Sequence, residues 1–333
     1  MRRYRVLFYS NASAQVGFGH LRRCLFLRKD LQERGVDDVA FAGEFDEDAK
    51  ALIKDEAPSA PCLRGLNGVK SDVVVIDYMF DPKEMEAYDV SLISEVANGG
   101  REAVLISSAA TIPRDLPVDV AIGHLLNSDR HTSFELKTGL KYAPVAPEVE
   151  SYRPSEPRGP ENVNRVFIGL GNSDDPAGIH LALRALREVD YKQEVDLLLP
   201  PALVGRAGEF ESQDSGFDLS MHHSIPSVPA LLTKADLMIG SYGHMTFESL
   251  ALGVPTVIIG MKEFMVEYAD QLASQKVSVS VGHVDDLLPN DVAAELNRLD
   301  RNRRHALSRN SLSLVDGGGL RRVGREIVKR VRD

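Results

Sequence analysis

Two stretches of this sequence combine a histidine, small residues and the start of a helix-like pattern. In the first, Gly17-Phe18-Gly19-His20 follows an apolar run ending near Tyr9 and a polar loop, and opens a pattern with Leu21, Cys24, Leu25 and Leu31 on one side. Glycines there let the backbone approach a ligand, and a helix N-terminus presents unpaired N–H groups and positive dipole character to an anion. An imidazole at that edge is able to take a proton from water or a hydroxyl near neutral pH. It is equally able to make a structural cap bond, and position alone leaves both roles open. Arg22 and Arg23 stand where they can add phosphate contacts.

The second stretch, Gly240-Ser241-Tyr242-Gly243-His244-Met245-Thr246-Phe247-Glu248, directly follows the apolar run Leu237-Met238-Ile239 and precedes a helix ending at Gly253-Val254-Pro255. Small residues ahead of Thr246 at a helix start suit a diphosphate cradle. Glu248, one turn in, is placed to accept hydrogen bonds from ribose hydroxyls or simply to complement the helix dipole. A third loop, Gly169 to Pro176, holds Gly171, Asn172 and Ser173 in the same setting, facing the sugar or phosphate side. One glycine loop is a weak signal; three at expected strand ends say more.

Regular elements must position these loops. The first half alternates strand-like runs at Tyr4 to Tyr9, Val39 to Ala42, Val73 to Asp77, Ala103 to Ser107 and Val118 to Ile122 with helix-like periodicity. Strand, crossover helix, strand implies a parallel sheet covered on both faces. Pro154, Pro157 and Pro160 break the pattern between Ser151 and Asn164, which reads as a domain linker. The alternation restarts with strands at Val166 to Leu170, Val195 to Leu199, Leu237 to Gly240, Thr256 to Ile259 and Val277 to Val281. The expected organisation is therefore an N-terminal Rossmann-like domain over 1–150, a linker over 151–164, a nucleotide-binding Rossmann-like domain over 165–318 and a basic helix over 319–333. Ligands of such sheets bind at the carboxyl ends of the strands, so two facing sheets are expected to share a central cleft.

Composition sets outer limits. The 333 residues exceed what one core usually serves, and 43% hydrophobic with 26% charged residues is ordinary for a globular chain. No apolar run approaches the roughly 20 residues that span a bilayer. The apolar run behind Met1-Arg2-Arg3 is too short for a secretory leader, so a cytoplasmic location is expected. Cys24 and Cys62, the only two cysteines, lack disulfide-framework or metal-ligand spacing and read as reduced thiols, Cys24 in the core. A formal charge of −10 argues against nucleic acid as a partner. Arg321, Arg322, Arg325, Lys329, Arg330 and Arg332 interleave with Val323, Ile327 and Val331. That pattern reads as a solvated helix face packed by its apolar stripe, with peripheral contact to an anionic membrane surface as the alternative.

The sequence resembles the UDP-sugar hydrolase of pseudaminic acid biosynthesis and its spore-coat polysaccharide relatives, within the wider class of GT-B glycosyltransferases. The resemblance is carried by Gly17 to Leu25, Asp72-Val73-Val74-Val75-Ile76-Asp77-Tyr78, Gly139-Leu140-Lys141-Tyr142-Ala143, Gly171-Asn172-Ser173-Asp174 and Ala235 to Pro255, in the family's order. It implies an α/β, two-domain GT-B fold with a nucleotide sugar seated between the domains. By the same resemblance His20 is the base, Gly17 and Gly19 line the phosphates, and Gly243, His244, Met245, Thr246 and Glu248 hold UDP, with uracil near Ile225. Arg23, Asp77, Tyr78 and Tyr142 fall on the sugar side. Neither a cofactor nor a metal is expected, because helix dipoles neutralise the diphosphate in this class. The Asp46-Glu47-Asp48 stretch lies away from these loops and reads as a solvated face.

The sequence also departs from the hydrolases. They tend to carry Asn-Gln where Phe264-Met265 aligns here, an aspartate pair where Ser107-Ser108 stands, and an aromatic one position later than Tyr78. The departures fall on the sugar side. The leading expectation is hydrolysis of a UDP-linked N-acetylated amino or deoxy sugar by water that His20 deprotonates. Transfer of the sugar to an acceptor hydroxyl is the alternative, and a non-catalytic nucleotide-sugar-binding protein is a third reading.

Overall fold

The computed structural model describes residues 2–13, 16–63, 66, 69–78, 89–107, 112–125, 132–171, 174–211, 216–225 and 227–331. Asn172, Ser173, Ser108 and Arg332 of the sequence reading lie outside the described residues. The chain divides into two compact units, residues 1–147 with 318–333, and residues 148–317.

The first unit holds a seven-stranded parallel sheet: β1 (Arg2–Ala12), β2 (Val39–Phe45), β3 (Cys62–Leu63), β4 (Val69–Asp77), β5 (Gly100–Ser107), β6 (Val120–Gly123) and β7 (Glu135–Thr138). They run in the order β3-β2-β1-β4-β5-β6-β7. Val73 to Ile76 are fully buried, as a central strand covered on both faces requires. Alternate residues feed two cores, one with Val6, Phe8, Val73 and Val75 and the other with Leu7, Tyr9, Val74 and Ile76. The helix Gly19–Glu33 lies on the first of these through Leu21, Cys24, Leu25 and Leu31.

The second unit is a six-stranded parallel sheet of β8 (Arg165–Gly169), β9 (Glu194–Leu198), β10 (Asp218–His222), β11 (Leu237–Gly240), β12 (Thr256–Gly260) and β13 (Val279–His283). The order is β10-β9-β8-β11-β12-β13. Together the two sheets give the expected α/β architecture. The strands absent from the sequence reading, β3, β7 and β10, are all edge strands. An edge strand is half-solvated and needs no continuous apolar run, and Glu135-Leu136-Lys137-Thr138 and Asp218-Leu219-Ser220-Met221-His222 have none.

The domain boundaries move, while the expected packing of the basic helix and the solvated acidic face hold. The segment 151–164 is no free linker: Arg158 donates to the carbonyl of Ala235 and the hydroxyl of Thr233, and Arg304 donates to the carbonyls of Pro160 and Glu161, fixing it on the second unit. The basic helix Gly319–Val328 belongs to the first unit and buries Leu320, Val323 and Ile327 in the core that also holds Leu21 and Leu31. Its apolar stripe is thus used inside the protein, with Arg321, Arg325 and Lys329 exposed. The acidic stretch is solvated at Glu47 and Asp48, and half-buried Asp46 caps the helix Glu47–Glu56, accepting from Ala49 N at 2.8 Å.

Among the described residues no helix is long and apolar enough to cross a membrane. Docking of the basic helix depends on close backbone approach. A Cβ at Gly319 would stand 2.1 Å from the carbonyl oxygen of Ala143, a backbone atom with little room to give. Gly319→Ala is therefore expected to lower stability by about 1–3 kcal/mol, read as a drop in the urea midpoint.

Candidate active site

In each sheet the strand order reverses once, between β1 and β4 in the first and between β8 and β11 in the second. Open parallel sheets bind ligands outside the carboxyl ends of the strands at such a point. The chemistry-bearing loops fall there: Gly17 to His20 follows β1, Asp77 ends β4, Gly171 follows β8, and Ser241 to Thr246 follow β11.

The loop after β1 closes on itself, with Gly17 N donating to Ser13 O at 2.7 Å. Gly17 has φ +87°, a left-handed conformation that favours glycine. The helix then begins at Gly19 with no side-chain cap. His20 and Arg23, three residues apart, share a face of that helix. Both reach Asp77, which β4 delivers from 54 to 57 residues away.

His20 Nδ1 lies 2.6 Å from Asp77 Oδ1. Arg23 Nε donates to Asp77 Oδ2 at 2.5 Å, and Arg23 Nη2 donates to Oδ1. The Cys24 thiol completes the set, donating to Oδ2 at 3.8 Å. Asp77 has no exposed surface, whereas 14% of the His20 side chain is exposed. Burial pushes the Asp77 carboxyl up, but the Arg23 guanidinium and then His20 outweigh it and hold it well below the usual carboxylate range. Burial first, then the charge of Asp77, pushes the Cys24 thiol well up.

This arrangement fixes the tautomer. Facing an ionised carboxylate at 2.6 Å, Nδ1 must carry a proton, which leaves Nε2 as the acceptor of the ring. The 3.2 Å approach of Arg23 Nη2 to Nδ1 brings together two donors that share Oδ1. Should Nε2 take up a proton, the charge on the ring is compensated by Asp77, the logic of a histidine oriented by a buried aspartate. The structure thus revises the sugar-side expectation for Arg23 and Asp77, which are buried and occupied with each other and with His20. A signal for this was present in the sequence: an acid closing the wholly apolar run Val73 to Ile76 needs buried partners.

Tyr78 and Tyr142 have packing contacts of their own. Tyr78 stacks on Tyr9 with ring centroids 5.3 Å apart, and burial, then Glu44, raises its phenol above the usual range. Tyr142 ends a short 3-10 turn, Leu140–Tyr142, and packs against the core that receives the basic helix.

In the second unit Gly171, φ +81°, brings its loop against the loop after β11: a Cβ there would lie 3.3 Å from Ser241 Oγ. Gly169 leaves room for Met245, whose Sδ stands 3.2 Å from the equivalent position. The helix His244–Ala251 starts behind Gly243 without a side-chain cap. Thr246 departs from the expected phosphate contact, since its fully buried hydroxyl donates to Ser241 O at 2.6 Å and so shapes the loop. Glu248 is buried in the second turn, His244 and Met245 are half-buried, and half-buried Ile225 follows Ser224, which has φ +50°.

No protein-family model matches the chain. A curated relative, an uncharacterized protein of Methanocaldococcus jannaschii, is 24% identical over 310 residues, covering 85% of this chain. The match spans 60% of that relative's length. Among solved structures, Acinetobacter baumannii MurG superposes with TM-score 0.68 at 14% identity, over 98% of this chain and 99% of its own. A glycotransferase of kitacinnamycin gives 0.67 at 15%, over the whole of both chains. Staphylococcus aureus MnaA in a UDP co-structure gives 0.64 at 10%, over 98% and 96%. At these identities the likeness concerns the fold, which is that of the GT-B glycosyltransferases.

Replacing Asp77 by Asn leaves Arg23 buried beside a neutral partner, and should lower unfolding free energy at pH 7 by about 3–5 kcal/mol. Because the folded-state carboxyl is held low, its contribution is complete above the unfolded value of about 3.9 and is lost as pH falls below it. Urea midpoints of the two proteins should therefore differ by a constant amount from neutral pH down to about pH 5 and converge at lower pH.

Proposed function

We propose that this protein is a glycosyltransferase that uses a nucleoside diphosphate sugar, with His20 as the base. The observation that carries the reading is the His20–Asp77–Arg23 cluster, which leaves Nε2 an acceptor on an oriented, partly exposed ring. His20 Nε2 takes the proton of an acceptor hydroxyl as that oxygen bonds to the anomeric carbon. The bond from that carbon to the diphosphate breaks, and its electron pair leaves with the diphosphate. Backbone N–H groups at the start of the helix His244–Ala251 receive this charge, with the Gly171 loop beside them, and we assign no metal to the step. Arg23 and Asp77 act through His20.

Uridine is the nucleoside we favour. The resemblance of the Ala235 to Pro255 segment supports it, as does the MnaA structure with UDP. The kitacinnamycin glycotransferase supports transfer over hydrolysis. Hydrolysis is retained as a second reading on one observation, the match of Gly17 to Leu25 with the UDP-sugar hydrolases. In that case the same base deprotonates water.

Incubation with a panel of nucleotide sugars, with and without acceptor glycans, tests both readings when free nucleotide and free sugar are quantified. Transfer releases nucleotide only with an acceptor, and hydrolysis releases equal nucleotide and sugar without one. Consumption of no nucleotide sugar under either condition would overturn the enzymatic reading. His20→Ala is expected to cut turnover by about 10²–10⁴-fold while leaving nucleotide affinity within about twofold, measured by calorimetry.

A further inference from the structure

Asp77 divides its two oxygens unequally. Oδ2 accepts from Arg23 Nε at 2.5 Å, while Oδ1 accepts from both Arg23 Nη2 and His20 Nδ1. The guanidinium is thereby brought to 3.2 Å from the ring nitrogen, in a place where Arg23 is 3% exposed and Asp77 is fully buried. Arg22, next in the chain, is exposed. Among the described residues, the remaining neighbours of the His20–Asp77 pair are uncharged. They are the Cys24 thiol, whose proton burial holds in place, and Ser10, opposite Asp77 in the β1–β4 register.

The second unit contains the same three residue types with the oxygens unshared. His222 Nε2 lies 2.7 Å from Asp196 Oδ1, and Arg165 Nη1 takes Oδ2 at 2.8 Å while its Nη2 reaches Glu194. The cation there is divided between two acids. At Asp77 the guanidinium takes both oxygens of the carboxylate, so the charge that His20 faces is close to cancelled. The difference bears on proton transfer. A buried carboxylate by itself favours the imidazolium, and an imidazolium has no acceptor at Nε2. A cation 3.2 Å from the ring opposes that additional proton.

We propose that Arg23 is a positioning residue that keeps His20 in its base form, cancelling the charge of Asp77 while leaving Oδ1 in place to orient Nδ1. This inference rests on His20 acting as the base, as proposed above. Its consequence is a division of labour. In a lone histidine–aspartate pair the group that orients the ring also raises its hold on a proton. Here Asp77 fixes the orientation, and Arg23 fixes the pH at which Nε2 is free to accept.

The test titrates histidine ring resonances by NMR on isotope-labelled protein, beside the pH profile of kcat/KM where turnover occurs. Arg23→Met removes the cation and leaves the carboxylate, so the His20–Asp77 pair should hold its additional proton to a pH about one to two units higher. Asp77→Asn removes the carboxylate and leaves the cation, and should move the titration the opposite way. The R23M/D77N double variant, with neither charge, and Arg23→Lys, with the cation kept, should both stay within about half a unit of the wild type. The His222 resonance, held by Asp196 in the other unit, should not move and reports folding. On the acid side of the profile kcat/KM of Arg23→Met should fall about 10–100-fold below the wild type, and the gap should narrow as pH rises. An Arg23→Met titration within about half a unit of the wild type, with His222 unmoved, overturns the role of Arg23 and leaves the proposed function standing. Should Arg23→Met fail to fold, Asp77→Asn compared with the double variant reads the same cation, and equal midpoints overturn the inference. Displaced titrations in a protein that consumes no nucleotide sugar overturn the proposed function and leave the electrostatic tie between Arg23 and His20 standing.

Discussion

An ionised carboxylate without exposed surface is tolerated only when nearby donors replace water, and Asp77 meets that condition through Arg23, His20 and Cys24. The requirement reaches far into the first unit. β4 must run beside β1 so that Asp77 stands next to Ser10, and the helix after β1 must start at Gly19 so that His20 and Arg23 fall on one face. The loop between needs the left-handed Gly17. Removing any one of these leaves a charge in the interior without its partner.

The second unit meets a different constraint with different means. Close approach organises the described parts of the loops after β8 and β11. Gly169 and Gly171 make room for Met245 and Ser241, and the Thr246 hydroxyl closes the turn on the Ser241 carbonyl. One unit is tied around a buried carboxylate and the other around closely packed loop backbone. The cores of the two units are separate, and each unit's sheet has a single reversal of strand order.

How much of this is legible from residues alone follows from the physics of each element. Central strands such as Val73 to Ile76 and Leu237 to Gly240 are apolar on both faces and stand out. Edge strands carry no such pattern, which hides β3, β7 and β10. His20 and the Gly243 loop are visible because a glycine-bearing loop before a helix is a local signature. Its partner Asp77 is far away in sequence, so no local pattern pairs the two, and the roles of Arg23 and Asp77 emerge only when β1 and β4 are neighbours. The engagement of Thr246 with a carbonyl five residues earlier is likewise a matter of loop closure that residue type does not reveal.

The return of residues 318–333 to the first unit has a consequence for synthesis. The helix bearing His20 packs against Leu320, Val323 and Ile327, yet residues 148–317 are made in between. At about 5–20 residues per second, the ribosome spends roughly 10–35 s on that stretch. During that interval the nascent first unit carries an uncovered apolar seam beside the helix bearing His20, while the second unit, contiguous in sequence, gains its residues in one run. The second unit thus waits for no residue beyond its own run, whereas the seam beside His20 closes only when the late helix arrives.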